Sequence, residues 1–339
     1  MSRPRWWRGA LIPALSLAFV AAGASAAPRP AAPRFDPGTA QEVPTAVARI
    51  SPAVVGIRAR IPRDRPSVPA LGPERWGSGV IIDADGTILT VGYVVLEATG
   101  LEVTLRDGRT VPARVLGHDF ESGLGVIRLT HGGPYAAATL GRSASVGPGQ
   151  AVAIVGMAGD RRLLGQAAAV TGVRAFVAYW EYMLDQALIV APTHPAYGGA
   201  ALVDPDGAVI GIVSLRLEGE HLAIPIDLFS PVRAAVIAAG RPAKPPRPWL
   251  GVRAVAIGGG VVIAGVSPAG PASAAGLREG DVVFRLDGER VADLTDFYRK
   301  LWQTTIGRDV ELTIHRDGRV ETVTVRPRDR HTIFQFRSP

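Results

Sequence analysis

Cysteine is absent from all 339 residues. Disulfides, cysteine nucleophiles and thiolate metal sites are therefore excluded together, and the cores must hold by packing. Lysine is nearly absent as well, occurring only at Lys244 and Lys300, so almost every positive charge is an arginine. The formal charge is +7, but Arg3, Arg5 and Arg8 sit in an acid-free N-terminal stretch, and without them about +4 remains. No dense basic run carries interleaved aromatics, which argues against a nucleic-acid groove. Aromatic residues make up only 6%, leaving Val, Leu, Ile and Ala to fill the cores. The six histidines (His118, His131, His194, His221, His315 and His331) are scattered without a short ligand spacing. Gly258 to Gly260 lack a nucleotide-binding pattern, so neither a metal nor a cofactor is expected.

What is present begins with a targeting signal. The stretch SRPRWWR is followed by a charge-free run from Gly9 to Pro28, with an apolar segment over Leu11 to Val20. Ala24-Ser25-Ala26 supplies the small residues that a signal peptidase accommodates. Residues 1–26 are thus predicted to be a signal peptide, with a mature start near Ala27 and the periplasm as destination in a Gram-negative source. An uncleaved inner-membrane anchor is the alternative, because the stretch is close to spanning length. Arg3 and Arg5 are not adjacent, which does not suit a twin-arginine route.

Residues 27–46 are Ala- and Pro-rich and are expected to be extended. Beyond Val47, short branched runs separated by turns read as strands: 79–82, 101–105, 111–115, 126–129, 151–155, 208–215 and 222–226. Asp-Gly pairs at Asp85-Gly86, Asp107-Gly108, Asp206-Gly207, Asp287-Gly288 and Asp317-Gly318 suit tight hairpins. The pattern predicts a mainly β chain built of antiparallel barrels or sandwiches. A helix closes the first region, with Ser230 as its cap, Pro231 in its first turn and Gly240 at its end. The run RPAKPPRP, residues 241–248, is the predicted linker between a domain at 47–240 and a second at 249–328. Strands are expected there at 261–266, 282–286, 310–314 and 321–325. A helix over Leu294 to Gln303 is capped by Asp293, and a short tail occupies 329–339.

Four separated segments carry a resemblance: GSGVIIDADGTILTVGYVV (77–95), DFESGLGVIRL (119–129), HPAYGGAALVDPDGAVIGIVS (194–214) and LAIPID (222–227). Their order and intervals resemble the HtrA/Deg family of trypsin-like serine proteases. The resemblance implies a trypsin-like double β-barrel followed by a PDZ-like domain. It covers most of the chain after Val47.

The family's catalytic histidine lies in an Asn-Ala-His-Val-Val pattern, and Tyr93 stands at that place here. Its aspartate opens an Asp-Leu-Ala-Val pattern, where this chain has Gly123. Its nucleophile lies in Gly-Asn-Ser-Gly-Gly-Pro, which puts Gly198 at the serine position and Ala196 at a glycine that shapes the oxyanion site. A serine protease needs an oxygen nucleophile, an adjacent base and an acid that orients it. Glycine supplies neither nucleophile nor acid, and a phenol near pKa ~10 is a poor base at neutral pH. The resemblance therefore implies a degenerate triad and a non-catalytic pseudoprotease. A relocated site drawing on His118, Asp119 and Ser122, or on His194, Asp185 and Ser214, is the enzyme alternative. Tyr93 and Tyr197 either line a recognition groove or fill the former cleft. The aromatic run at 179–183 is either a surface contact or an ordinary packed strand.

Trp249-Leu250-Gly251-Val252 resembles the carboxylate-binding loop of the family's PDZ domains, and residues 276–291 match a further part of that pattern. The resemblance implies a peptide site whose backbone N–H groups meet a C-terminal carboxylate, with strand addition alongside. The alternative is a groove occupied by another segment. These readings predict an exported protein-binding accessory subunit, assembly factor or regulator of an envelope complex, with a holdase-type chaperone as a further alternative.

Overall fold

In the computed structural model, residues 42–159, 162–257 and 260–334 are described. The predicted signal peptide, most of the Ala/Pro-rich segment, and Gly258 and Gly259 lie outside those residues. Where the sequence reading extended the leading segment to residue 46, a helix α1 (Glu42–Ile50) is found. Its reason is a stripe at helical spacing: Ala46 and Ile50 are 1% and 2% exposed.

Six strands close the first barrel: β1 (Val54–Arg60), β2 (Glu74–Ile81), β3 (Thr87–Val91), β4 (Gly100–Thr104), β5 (Thr110–Asp119) and β6 (Leu124–Leu129), in the order β1-β2-β3-β6-β5-β4. A turn α2 (Val68–Leu71) precedes β2, and a one-turn helix α3 (Gly92–Val95) follows β3. The second barrel repeats the topology with β7 (Ala151–Met157), β8 (Leu163–Ala178), β9 (Tyr182–Ala191), β10 (Ala201–Val203), β11 (Val209–Arg216) and β12 (His221–Pro225). Branched residues fill both interiors, among them Val54, Ile88, Ile127, Ile154 and Ile212, all nearly inaccessible to solvent. Barrel closure leaves no unpaired edge to cap.

Strands β8 and β9 form the longest hairpin, and its tip at Tyr179, Trp180 and Glu181 projects toward the second domain. Helix α4 (Arg233–Ala239) starts later than predicted: Val232 precedes it without a side-chain cap, and neither Ser230 nor Pro231 belongs to it. Phe229, 1% exposed, anchors the preceding turn instead, its carbonyl accepting from Val232 N and Arg233 N. Gly240 ends the helix in the left-handed region as expected, at φ 78°.

The second domain is a sheet of β14 (Val252–Ile257), β15 (Gly260–Val266), β16 (Val282–Leu286), β18 (Val310–Arg316) and β19 (Arg319–Val325). The short β17 (Glu289–Arg290) pairs with β16. A turn α5 (Pro271–Ala274) and helix α6 (Leu294–Gln303) complete it, and Asp293 caps α6 by accepting from Asp296 N at 2.9 Å. Asp287 and Asp317 join their following glycines at positive φ, the pattern of a type I′ hairpin. The ends of the module meet where β13 (Pro248–Trp249) pairs with β20 (Arg328–Asp329). The predicted tail is thus partly built into the fold, since α7 (Arg330–Ile333) follows directly and its Arg330 donates to Trp180 O and Glu181 O at 3.3 Å.

Candidate functional site

The three positions that the sequence aligns with a catalytic triad come from separate elements. Tyr93 lies on α3, Gly123 in the β5–β6 turn and Gly198 in the loop between β9 and β10. Tyr93 and Gly198 face each other across the junction of the barrels. A Cβ added at Gly198 would lie 2.8 Å from the Tyr93 hydroxyl. That phenol donates to Ser214 O at 2.7 Å. Ser214 sits at the register shift between β11 and β12, so its carbonyl is left out of the ladder and is free to accept. One half-buried ring thus spans from the first barrel to the second. Burial, and then Tyr197, push its phenol far above the ordinary tyrosine range, so it is neutral at physiological pH.

Gly123 has φ 82°, and a Cβ there would lie 3.1 Å from the Tyr182 hydroxyl. Tyr182 donates to Ser122 O at 2.7 Å and holds this place. An aspartate at residue 123 meets both a left-handed backbone and an occupied volume.

The loop carrying Gly198 is pinned by two imidazoles. His221 Nε2 accepts from His194 N at 2.7 Å, and His194 Nδ1 accepts from Ala196 N at 3.1 Å. Those bonds require unprotonated acceptor nitrogens, and burial lowers both histidines below their ordinary value. The Ala196 N–H, at the position aligned with the oxyanion glycine, is therefore directed at His194. Tyr197 stacks on His221 with ring centroids 4.8 Å apart. Ser78 N donates to Gly198 O at 2.7 Å, tying the same loop to β2.

Of the residues considered for a relocated site, Asp119, Ser122 and Asp185 are engaged by other groups. Asp119 accepts from Glu121 N at 3.0 Å and Ser122 N at 3.3 Å, while Ser122 Oγ accepts from Leu124 N at 3.3 Å, which makes the segment a polar turn. His118 is buried, and desolvation followed by His331 and Arg75 lowers it to about 3. Asp185 pairs with Arg299 at 3.4 Å on the surface. Among the described residues, no group of three or more His, Asp or Glu side chains is placed to hold a metal. No helix among them is long and apolar enough to cross a membrane.

The second candidate site is the loop Trp249 to Val252, which lies between β13 and β14 with Gly251 at φ 82°. Its amides converge on one carboxylate, that of Glu181. Leu250 N donates to Oε1 at 2.9 Å, and Gly251 N and Val252 N donate to Oε2 at 2.8 and 2.9 Å. Glu181 is 4% exposed. Burial holds its carboxyl above the ordinary glutamate value, an upward shift that Arg330 and the three amides offset only in part. Beside it, Ala254 N donates to Tyr179 O at 2.7 Å. Tyr298, from α6, accepts from Glu181 N and donates to Ala178 O, both at 2.9 Å. Trp249 itself packs edge-on against Phe334.

Glu181, Tyr298 and Arg330 were not singled out from the sequence. The available signal was a lone acid inside the aromatic run at 179–183.

The chain matches the trypsin-like peptidase domain over residues 77–212 and the PDZ domain over residues 248–326. It is 30% identical over 282 residues to "Putative serine protease HhoA" of Synechocystis, covering 74% of this chain and 69% of that protein. It is 32% identical to "Probable periplasmic serine endoprotease DegP-like" of Halomonas elongata, covering 74% of this chain and 55% of that protein. Among solved structures, the "HtrA-type protease AlgW with decapeptide" matches at TM-score 0.55 and 26% identity, covering 84% of this chain and 98% of that one.

Proposed function

We propose, from the premise that this chain belongs to the HtrA family of trypsin-like serine proteases with a PDZ domain, that it is an exported pseudoprotease. Its work is to bind protein as an accessory subunit, assembly factor or regulator in the cell envelope. The observation that carries the reading is the Tyr93 hydroxyl, 2.8 Å from where a residue-198 side chain would begin. Gly198 offers no nucleophile, Gly123 no acid, and a neutral phenol bonded to a carbonyl is no base. The leader-like first 26 residues and the periplasmic name of the Halomonas relative support export to the periplasm. The PDZ domain and the decapeptide of the AlgW structure support peptide or protein recognition.

The protease names of the relatives favour a second reading, retained hydrolysis through a nucleophile elsewhere. Treating the pure mature chain with a fluorophosphonate probe and unfolded casein separates the two. The pseudoprotease reading expects no labelling and no cleavage over an overnight incubation. Reproducible labelling with cleavage by the pure chain overturns it. Suppression of client aggregation at stoichiometric amounts, without labelling, moves the reading to a chaperone.

A further inference from the structure

The PDZ-type loop is already satisfied, and by a group from the other domain. The three amides of Leu250, Gly251 and Val252 bind both oxygens of the Glu181 carboxylate. The register beside it follows peptide geometry as well. The Glu181 carboxylate accepts from Val252 N, and the backbone carbonyl of Tyr179, two residues earlier, accepts from Ala254 N, two residues later. One side-chain bond and one backbone bond thus run in opposite senses along the two segments, the direction in which a peptide would add. The tip of the β8–β9 hairpin touches β14, an end strand of its sheet, through one backbone bond on the edge to which a peptide would add.

Three further contacts fix it there. Tyr298 holds both sides of the tip through Ala178 O and Glu181 N. Val177 packs against the core of the second domain. Arg330 closes over the tip from the tail, donating to Trp180 O and Glu181 O. Glu181 has φ 55°, a left-handed turn that lets the main chain leave the groove into β9 while the side chain stays behind.

We infer that Glu181 is a built-in stand-in for a peptide's C-terminal carboxylate, that it holds the PDZ groove shut against the second barrel, and that a peptide with a free C-terminus is admitted only when the hairpin tip withdraws. This rests on the protein-binding reading only in treating the groove as a receptor. It is independent of whether the chain cleaves anything.

The test is a titration of the full mature chain with fluorescein-labelled decapeptides ending in Ala, Val, Leu or Phe, each as free acid and as amide, read by polarisation. Glu181→Ala and Glu181→Gln are expected to bind at least one free acid at least about tenfold more tightly than the unaltered chain, and the amides of that peptide not at all. Tyr298→Phe loosens the tip while leaving Glu181 and the loop in place, and is expected to give a smaller gain in the same direction. Equal affinity for the unaltered chain and Glu181→Ala overturns the inference. So does the absence of binding in every folded variant, because a vacated loop would then be no receptor. The fluorophosphonate assay and this titration read different sites, so either reading can fail alone.

Discussion

The barrel junction and the PDZ-type loop are both occupied by side chains of the chain itself, in different ways. At the junction, two glycines and a tyrosine stand at the positions that the resemblance gives to a triad, and the Tyr93 hydroxyl lies against Gly198. At the loop nothing is missing. Every amide that would meet a carboxylate is present and correctly aimed, but an internal carboxylate has taken it. On the proposed reading, substitution would remove a function outright, whereas occupation would keep the site and set a condition on its use.

The largest way to break this comparison is to remove the occupant. Glu181→Ala leaves three buried amides without an acceptor, at roughly 1 kcal/mol or more each, so a loss of about 3 kcal/mol is expected in urea unfolding. Glu181→Gln keeps a carbonyl acceptor and is expected to cost about half as much. A Glu181→Ala chain as stable as the parent would mean that the loop is not held by this carboxylate.

Acid reads the barrel side. His118 is lowered to about 3, below its unfolded value, so on acidification the unfolded chain takes the proton first. The stability that its neutral form provides is complete above pH ~6.5 and is lost as pH falls toward 3, amounting to a few kcal/mol on the order of 1.4 per pKa unit. Thermal melts from pH 7 to pH 4 should show this slope, and His118→Gln should reduce it, leaving the part that the lowered His194 and His221 contribute. Asp281, Asp296 and Asp85 have lowered carboxyls that lose stability only at the acid end of the range, so a slope confined below pH 4 would exclude His118 as its source.

The smallest test matches one hydroxyl against another. Tyr298→Phe strands Glu181 N and Ala178 O, and is expected to cost about 2 kcal/mol. Tyr93→Phe strands only Ser214 O, and is expected to cost about 1 kcal/mol. Equal costs would erase the difference drawn between a filled cleft and a latched groove.

Most strands, the hairpin turns and the Asp293 cap were legible because their signals are local, whereas the double barrel and the PDZ module came from the resemblance to the HtrA/Deg family. Short branched runs, Asp-Gly turns and the Asp293 cap are decided within a few residues, and the structure places them where they were expected. Helix α1 was misread because its Ala- and Pro-rich surroundings hid a two-residue apolar stripe at Ala46 and Ile50. The Ala- and Gly-rich β8 lacks the alternation that marks a strand, so the long hairpin escaped notice. Of the sites, the triad positions and the loop at 249–252 could be named only through the resemblance to the family's motifs. Their occupants could not be named, since Glu181 and the loop are some seventy residues apart and no local rule pairs them. The left-handed backbone at Glu181 is equally invisible in sequence.

The covalent tether on Glu181 has a quantitative consequence. A carboxylate carried on the same chain competes at an effective concentration on the order of millimolar or above, whatever the protein's own concentration. A free peptide must outbid that constant competitor, so dilute or weak ligands are ignored and dilution of the protein does not relieve the block. The hairpin thereby sets a threshold rather than a permanent seal. Above it, a tight or locally concentrated C-terminus would both fill the groove and release the second barrel's longest hairpin from the PDZ domain.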